Sequence, residues 1–436
     1  MKVTAVGGFG EIGRNMTVVD FGPESVAIDM GIHLDHMIEL FEIHGAAKLS
    51  TKQLMDHNCL PNDMKIDKKK VVAIVASHGH LDHIAGIPYL EKRYDAPIVC
   101  TAFTAKIIER QFKDGRFRRR NKIVELNLNK TLKVGKGITI EFISMTHSIP
   151  HTAMVVLHGY GKKIAYLNDF KIDDTPPLGL KINYPRIKEL QGEIDCLLME
   201  CLNVGDEGRT PSEMTAIELL EDALLNVDTE GKGVFVTTFA SHIARLQTIV
   251  SVAKKLNRKV VFLGRSLEKY CSAAKDAGVS DLIDFVDACK YRPQVAKKLT
   301  QLQSEDLSKY LIVFTGNQGE KEAVLHRMLT GQLPNVFSQG DICVFSCNII
   351  PTKTIIAARQ FVESKLEQQG VHVITDIHVS GHASKEDLRQ MLQMVKPKLW
   401  IPSHGEPRME EGAVVLAKEE GIKIKIIHDA DFVELD

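Results

Sequence analysis

At 436 residues, with 44% hydrophobic and 25% charged side chains, the chain can bury more than one core and reads as a globular protein of at least two domains. A formal net charge of -1 excludes a global attraction to nucleic acid or to an anionic membrane, so any polyanion site must be local. No apolar run reaches the roughly eighteen residues of a membrane span, the eight cysteines form no C-x-x-C pair, and the first residues lack a signal-peptide layout; the expectation is a soluble cytoplasmic protein with reduced, buried thiols.

Residues 2–7, 15–21 and 25–29 read as short strands separated by glycine turns. The loop Gly7-Gly8-Phe9-Gly10-Glu11-Ile12-Gly13 is not a dinucleotide loop, because the run after it, Asn15 to Asp20, is strand-like where a helix should open. Asp29, at the end of the third strand, is a candidate to orient a metal-ligating histidine, the plainer alternative being a turn aspartate. Residues 33–70 form a polar insertion with two weak helical patterns, ending in Lys68-Lys69-Lys70.

Val71 to Ser77 is the pattern of a buried strand, and it runs into His78-x-His80-x-Asp82-His83. Histidines at i and i+2 in extended backbone point to one side, while Asp82 and His83 follow once the chain has turned and approach from a second direction. Four ligand-type side chains so placed suit a centre for two ions. A helix is predicted over Ile84–Arg93, a strand over 97–100 and a helix over 103–113. The run Arg116-Phe117-Arg118-Arg119-Arg120-Asn121-Lys122 is the densest basic stretch, either a solvated face or a contact for a phosphate backbone.

Three further strands end in chemistry-bearing residues: 138–143 runs to His147, 163–167 to Asp169, and 196–199 to Glu200. His147 completes a three-histidine set with His78 and His80, and the two oxygens of Asp169 can each serve one ion. From about Asp206 the texture becomes βα alternation, with helices over 211–226, 241–256 and 266–277 and strands over 234–238, 259–263, 282–285, 310–314 and 341–346. That alternation predicts a doubly wound domain with ligand-type residues at its strand ends. A strand at 371–374, a helix at 385–394, a strand at 398–402 and a closing strand at 423–427 then return to the first pattern. His404 follows the third of these, and Asp82, His83, Asp169 and His404 form a second donor set opposite His78, His80, His147 and Asp169. The expected domains are 1–204, an insertion at 205–370, and 371–436 completing the first.

Asp29, His78-x-His80-x-Asp82-His83, His147, Asp169 and His404 resemble the motifs of the metallo-β-lactamase superfamily. The resemblance implies an α/β fold, a four-layer αββα sandwich, and the insertion before His404 resembles the β-CASP branch, which acts on nucleic acids. Glu200, His382 and His404 resemble that branch's three extra motifs. Gly7-Gly8-x-Gly10-Glu11-Ile12-Gly13, His147-Ser148-Ile149-Pro150, Asn168-Asp169-Phe170-Lys171, Thr315-Gly316-x-Gln318-Gly319-Glu320 and His404-Gly405-Glu406 are similar to the ribonuclease J family over essentially the whole chain. Asn168 stands where a glycine is common and Glu200 where an aspartate is common. The insertion at 33–70, and an end soon after the last core strand, resemble the shorter archaeal members, whereas bacterial members carry a further C-terminal domain.

The resemblance implies a metal-dependent exoribonuclease that trims single-stranded RNA 5′→3′ and prefers 5′-monophosphate ends. Mixed histidine and carboxylate ligation favours two zinc ions, with manganese a workable substitute. Asp82 is assigned to orient the attacking water, and His382, with Glu200, to stabilise the transition state or protonate the leaving 3′-oxygen. A terminal-phosphate pocket is expected from Arg265, His378, Val379, Ser380, Gly381, His382 and Ser384. The expected partner is RNA with no membrane, and a homodimer is compatible with the resemblance. The alternative reading is a β-CASP endoribonuclease of the mRNA 3′-processing type; a small-molecule hydrolase of the same fold leaves the inserted domain unexplained, and a ligand-depleted scaffold does not fit the full donor set.

Overall fold

A computed structural model describes residues 1–44, 49–350 and 352–435. The chain folds as two compact units: residues 1–174, 179–210 and 381–436 form the first, and 175–178 with 211–380 the second.

The first unit is built on two sheets. Seven strands, in the order Phe432–Glu434, Lys2–Gly7, Met16–Asp20, Ser25–Ile28, Val71–Val75, Ile98–Cys100 and Ile123–Glu125, make one of them. Its pairs are antiparallel up to Ser25–Ile28 and parallel beyond it. Six strands make the other, in the order Trp400–Ser403, Cys196–Glu200, Lys162–Leu167, Ala153–Gly159, Ile138–Ser144 and Lys130–Val134. Alternate residues from both sheets, among them Val19, Ile28, Val75, Phe142, Val155 and Leu198, fill one core between them. The remaining set of the second sheet, including Ile143, Val156, Leu167, Leu197 and Met199, packs with buried residues of the helices Tyr184–Glu189, Lys385–Val395 and Pro407–Glu419. Burial on both faces is why these strands read as continuous apolar runs rather than alternating ones. This is the expected αββα architecture.

The second unit carries an all-parallel sheet in the order Asp287–Cys289, Lys259–Leu263, Tyr310–Phe314, Val234–Thr237, Ile342–Phe345 and His372–Ile374. The chain winds outward to one side of Val234–Thr237 and then to the other, the doubly wound pattern.

Several elements depart from expectation. The helix predicted over Ile84–Arg93 is split into Leu81–Ile84, Ile87–Leu90 and a 3₁₀ turn at Glu91–Arg93. Gly86 lies so close to the chain at Met30 and Gly31 that a Cβ would come within 2.8 Å of two carbonyl oxygens, and Pro88 offers no N–H. Residues 282–285 are a 3₁₀ turn, the strand following at Asp287–Cys289. The strand at the opening of the returning segment, His372–Ile374, pairs with Ile342–Phe345 of the second unit instead. The closing strand is not 423–427, where only Ile424 bridges to Trp400, but Phe432–Glu434, paired with Lys2–Thr4. In the insertion, helices Leu34–His44 and Thr51–Asp56 are present, the second with a Ser50–Gln53 capping box, and residues 45–48 lie outside the described set.

Candidate metal centre and catalytic site

Strand ends at one edge of the first unit deliver the donors. His78 and His80 follow Val71–Val75, and His80 caps the short helix Leu81–Ile84 that turns Asp82 and His83 back toward them. His147 follows Ile138–Ser144, Asp169 follows Lys162–Leu167, and His404 follows Trp400–Ser403 with φ +52°, a left-handed turn that redirects its side chain. The structure gathers all seven into the two expected sets, His78, His80, His147 and Asp169 on one side and Asp82, His83, Asp169 and His404 on the other, with the donor atoms of each set within 4.8 Å of one another.

In the first set His80 Nδ1 is 3.2 Å from His78 Nε2 and 3.1 Å from His147 Nε2, and Asp169 Oδ2 lies 3.5 Å and 3.4 Å from those same Nε2 atoms. In the second, His83 Nε2 is 3.1 Å from Asp169 Oδ1 and 3.5 Å from Asp82 Oδ2, and His404 Nε2 is 3.8 Å from Asp82 Oδ2. Donors around a tetrahedral ion with bonds of about 2.05 Å stand ~3.3 Å apart. The convergence therefore has the size of an ion, and one further observation supports a fit: Asp169 Oδ1 is buried and accepts no hydrogen bond among the described residues.

Second contacts fix which ring nitrogen is free. His83 Nδ1 donates to Asp29 Oδ2 at 2.7 Å, leaving Nε2 for the centre. The same oxygen accepts the Ser77 hydroxyl at 2.8 Å and the Tyr166 hydroxyl at 2.9 Å, while Asp29 Oδ1 accepts the Ser77 N–H at 2.8 Å. With its own proton committed to Asp29, Ser77 Oγ accepts from His78 Nδ1 at 3.0 Å. Asp29 thus fixes the ring of His83 directly and that of His78 through Ser77, from a left-handed backbone at φ +59°. His147 Nδ1 donates to Gly381 O at 2.6 Å, and an added Cβ at Gly381 would press to 2.8 Å from Ser148 Oγ and 3.0 Å from His147 Cε1. His404 Nδ1 donates to Asn15 Oδ1 at 3.1 Å, and Asn15 Nδ2 donates to Asp82 O at 3.1 Å. Asn168 holds that arrangement, donating to Asn15 Oδ1 at 3.2 Å and accepting the Ser403 hydroxyl at 2.6 Å. Asn15, Ser77 and Tyr166 were not legible as site residues, since no residue type or spacing marks a hydrogen-bonding neighbour of a ligand.

Burial, reinforced by His83, lowers His78 to about 4, and burial also lowers His147 and His404, keeping them in the neutral form that ligates. Burial pushes His83 down as well, but the carboxylates of Asp169, Asp82 and Asp29 outweigh it and hold the ring well above its ordinary value. The place that attracts that proton is the place that would attract a cation.

His382 belongs to neither donor set. Its Nδ1 lies 2.7 Å from Glu200 Oε2, and Glu200 Oε1 accepts the Phe170 N–H at 2.9 Å. Its ring stands 5.1 Å from that of His147 and stacks on His404 at 5.8 Å. Burial alone would lower His382, but the Glu200 carboxylate overcomes it and raises the imidazole to about 9, so the pair carries a proton at neutral pH. Of the expected phosphate-binding residues, Gly381, His382 and Ser384 lie in the first unit, and Arg265, His378, Val379 and Ser380 in the second. Ser384 stands at the start of Lys385–Val395, and its hydroxyl is paired with that of Thr210, 2.9 Å away.

Comparison with known proteins gives three matches to family models: a beta-lactamase superfamily domain over residues 50–238, the beta-CASP domain of ribonuclease J over 231–362, and a Zn-dependent metallo-hydrolase RNA specificity domain over 371–427. The chain is 40% identical to ribonuclease J of Methanocaldococcus jannaschii, covering 97% of this chain and 95% of that one. It is 40% identical to ribonuclease J of Pyrococcus abyssi, over 97% and 94% of the two chains, and 32% identical to that of Synechocystis, over 100% and 66%. Among solved structures, a protein of unknown function from Enterococcus faecalis shares the fold at 16% identity, with a TM-score of 0.68 over 99% of both chains.

Proposed function

Since this chain belongs to the ribonuclease J family and is a metal-dependent ribonuclease of RNA processing, we propose that it shortens single-stranded RNA one nucleotide at a time from a 5′-monophosphate end, in the cytoplasm, with zinc in both positions and manganese as a substitute. The observation that carries the reading is the His382–Glu200 pair: an imidazole hydrogen-bonded to a buried carboxylate, beside two donor sets and part of neither.

Two divalent ions held there would activate water and neutralise phosphodiester charge. Asp82 Oδ2, facing both His83 and His404, orients the attacking water toward phosphorus. The bond to the 3′-oxygen of the first nucleotide breaks, and His382 gives that oxygen its proton while Glu200 holds the ring in place. The shortened RNA keeps a 5′-phosphate and is again a substrate. His378, Val379, Ser380 and the backbone at Gly381 are assigned to that terminal phosphate on their continuity with His382, and Arg265 on the bidentate fork of its guanidinium. Eight free cysteines, seven of them buried, agree with a reducing compartment, and no described helix is long and apolar enough to cross a membrane.

The test is RNA labelled at a 5′-monophosphate and incubated with the purified protein and zinc or manganese. Labelled mononucleotide as the sole early product, suppressed by a 5′-triphosphate, is the expected result. Labelled fragments of intermediate length would instead favour the endoribonuclease alternative.

A further inference from the structure

The function proposed above leaves the basic run 116–122 without a role, and the topology of the first unit gives it one. Strands Val71–Val75, Ile98–Cys100 and Ile123–Glu125 are adjacent and parallel, so the segments that precede them meet at one edge of the sheet. Each brings cations: Lys68-Lys69-Lys70 before the first, Lys92-Arg93 ahead of the second, and Arg118-Arg119-Arg120 with Lys122 before the third. Neighbouring strands are about 4.8 Å apart, so the three segments fall within roughly 10 Å across the sheet. His78 follows the other end of Val71–Val75, so this edge and the metal centre are separated by the strand's length, ~15–20 Å at about 3.3 Å per residue.

The arginine loop is fastened rather than loose. The fully buried Glu91 carboxylate accepts the N–H groups of Arg120 and Asn121 at 3.0 and 2.9 Å, and Asn121 Nδ2 donates to the carbonyls of Glu91 and Tyr94. At its other end Phe117 packs edge-on against Tyr89, ring centres 4.8 Å apart. The segment beside it is held by the buried Asp63, which takes Arg93 at 2.9 Å and the Tyr94 hydroxyl at 2.6 Å. Glu91 thus orders the backbone of the arginine loop and Asp63 holds side chains beside it. Lys68, Lys70 and Arg120 have acidic partners in Asp63, Asp20 and Asp95, and other cations of the edge do not. Among the described residues Lys69, Lys92, Arg116, Arg118 and Lys122 are exposed and form no ion pair, and Arg119 reaches Glu109 only at 3.9 Å. A face that merely kept the chain soluble would not need its backbone pinned, and a chain of net charge -1 gains little from such segregation.

We infer that this edge is an accessory docking surface for the phosphate backbone of RNA, gripping the body of a substrate whose 5′ end occupies the metal centre; the inference rests on the ribonuclease reading. Arginine forks suit bidentate phosphate contacts, and their arrangement over three segments suits a backbone rather than a single anion. A substrate of a few nucleotides cannot reach from one place to the other, so only longer RNA gains from the surface.

The test compares the full chain with a variant carrying Lys69→Ala, Arg116→Ala, Arg118→Ala and Lys122→Ala. Binding is read by fluorescence anisotropy on a long unstructured RNA with a 5′-hydroxyl, over a salt series, and cleavage on that RNA's 5′-monophosphate form and on a trinucleotide. The expected result is weaker binding of the long RNA, a salt slope lower by about 3 at about 0.7 per lost single-strand contact, a higher KM on the long RNA and unchanged trinucleotide kinetics. A companion variant with Arg116→Lys and Arg118→Lys should bind the long RNA within a few-fold of the parent. Unchanged affinity and slope in the alanine variant would overturn the proposal. So would parent binding to phosphatidylserine vesicles that exceeds binding to RNA and is lost in that variant. Failure of the parent to cleave any RNA would strike the ribonuclease reading, while the anisotropy arm would still decide the edge.

Discussion

Asp29 makes no contact with an ion site, yet its two oxygens receive four hydrogen bonds and govern His83 directly and His78 through Ser77. Asp29→Asn retains the shape and reverses part of the donor pattern, so His83 loses the acceptor that fixes its tautomer. Metal affinity should fall about 10–100-fold, read by chelator competition and by metal content after dialysis. His382→Ala should behave in the opposite way. Metal content should stay at the parent level while kcat falls by about 10²–10⁴, and loss of metal would show that His382 had been wrongly placed outside the donor sets. The seven candidate donors were legible because each follows an apolar strand or the turn after one and is itself a strong ligand type. Asn15 was not: it faces His404 across 389 residues of sequence, and an asparagine after a glycine loop carries no sign of that neighbour.

At the scale of elements, Glu141 shows how the second sheet holds its outer helix. Its carboxylate accepts Arg186 at 2.6 and 3.1 Å and His158 Nε2 at 2.7 Å, joining the strands Ile138–Ser144 and Ala153–Gly159 to the helix Tyr184–Glu189. Burial alone would raise this carboxyl, but the hydrogen bonds from His158 and Arg186 outweigh it and lower it from 4.5 to about 2. A carboxyl lowered in the folded state stabilises it above the unfolded value, and that contribution drains away as pH falls from about 4.5 toward about 2. Glu141→Gln should lose roughly 1.5–3 kcal/mol at neutral pH and show a flatter stability profile across that window, both measured by denaturant unfolding. Elements were legible where an apolar pattern was sustained, as in the helix Ala102–Asp114, or where a run was apolar throughout, as in Tyr310–Phe314. They were misread where a short run could pair in more than one way: 423–427 alternates like a strand, but among its residues only Ile424 forms a bridge, to Trp400.

For the whole molecule, the change of texture near residue 206 announced a second folding unit, because parallel βα units and a mostly antiparallel sandwich place apolar residues at different periods. The assignment of His372–Ile374 to the inserted sheet was not legible, since a three-residue strand says nothing about its neighbour. The gathering of basic segments at one edge was equally hidden: the three stretches are separate in sequence, and only the parallel pairing of the strands after them brings them together.

The order in which the site's parts occur along the chain matters for how the protein is made. A ribosome delivers residues from the N-terminus onward, so His78, His80, His147 and Asp169 emerge long before His404, with the whole second unit translated in between. His147 must also wait for the carbonyl of Gly381, and the first sheet gains its outermost strand only when Phe432–Glu434 joins Lys2–Thr4. A growing chain therefore holds no finished pair of donor sets, and the ribonuclease lacks its second set until nearly all of it has been translated.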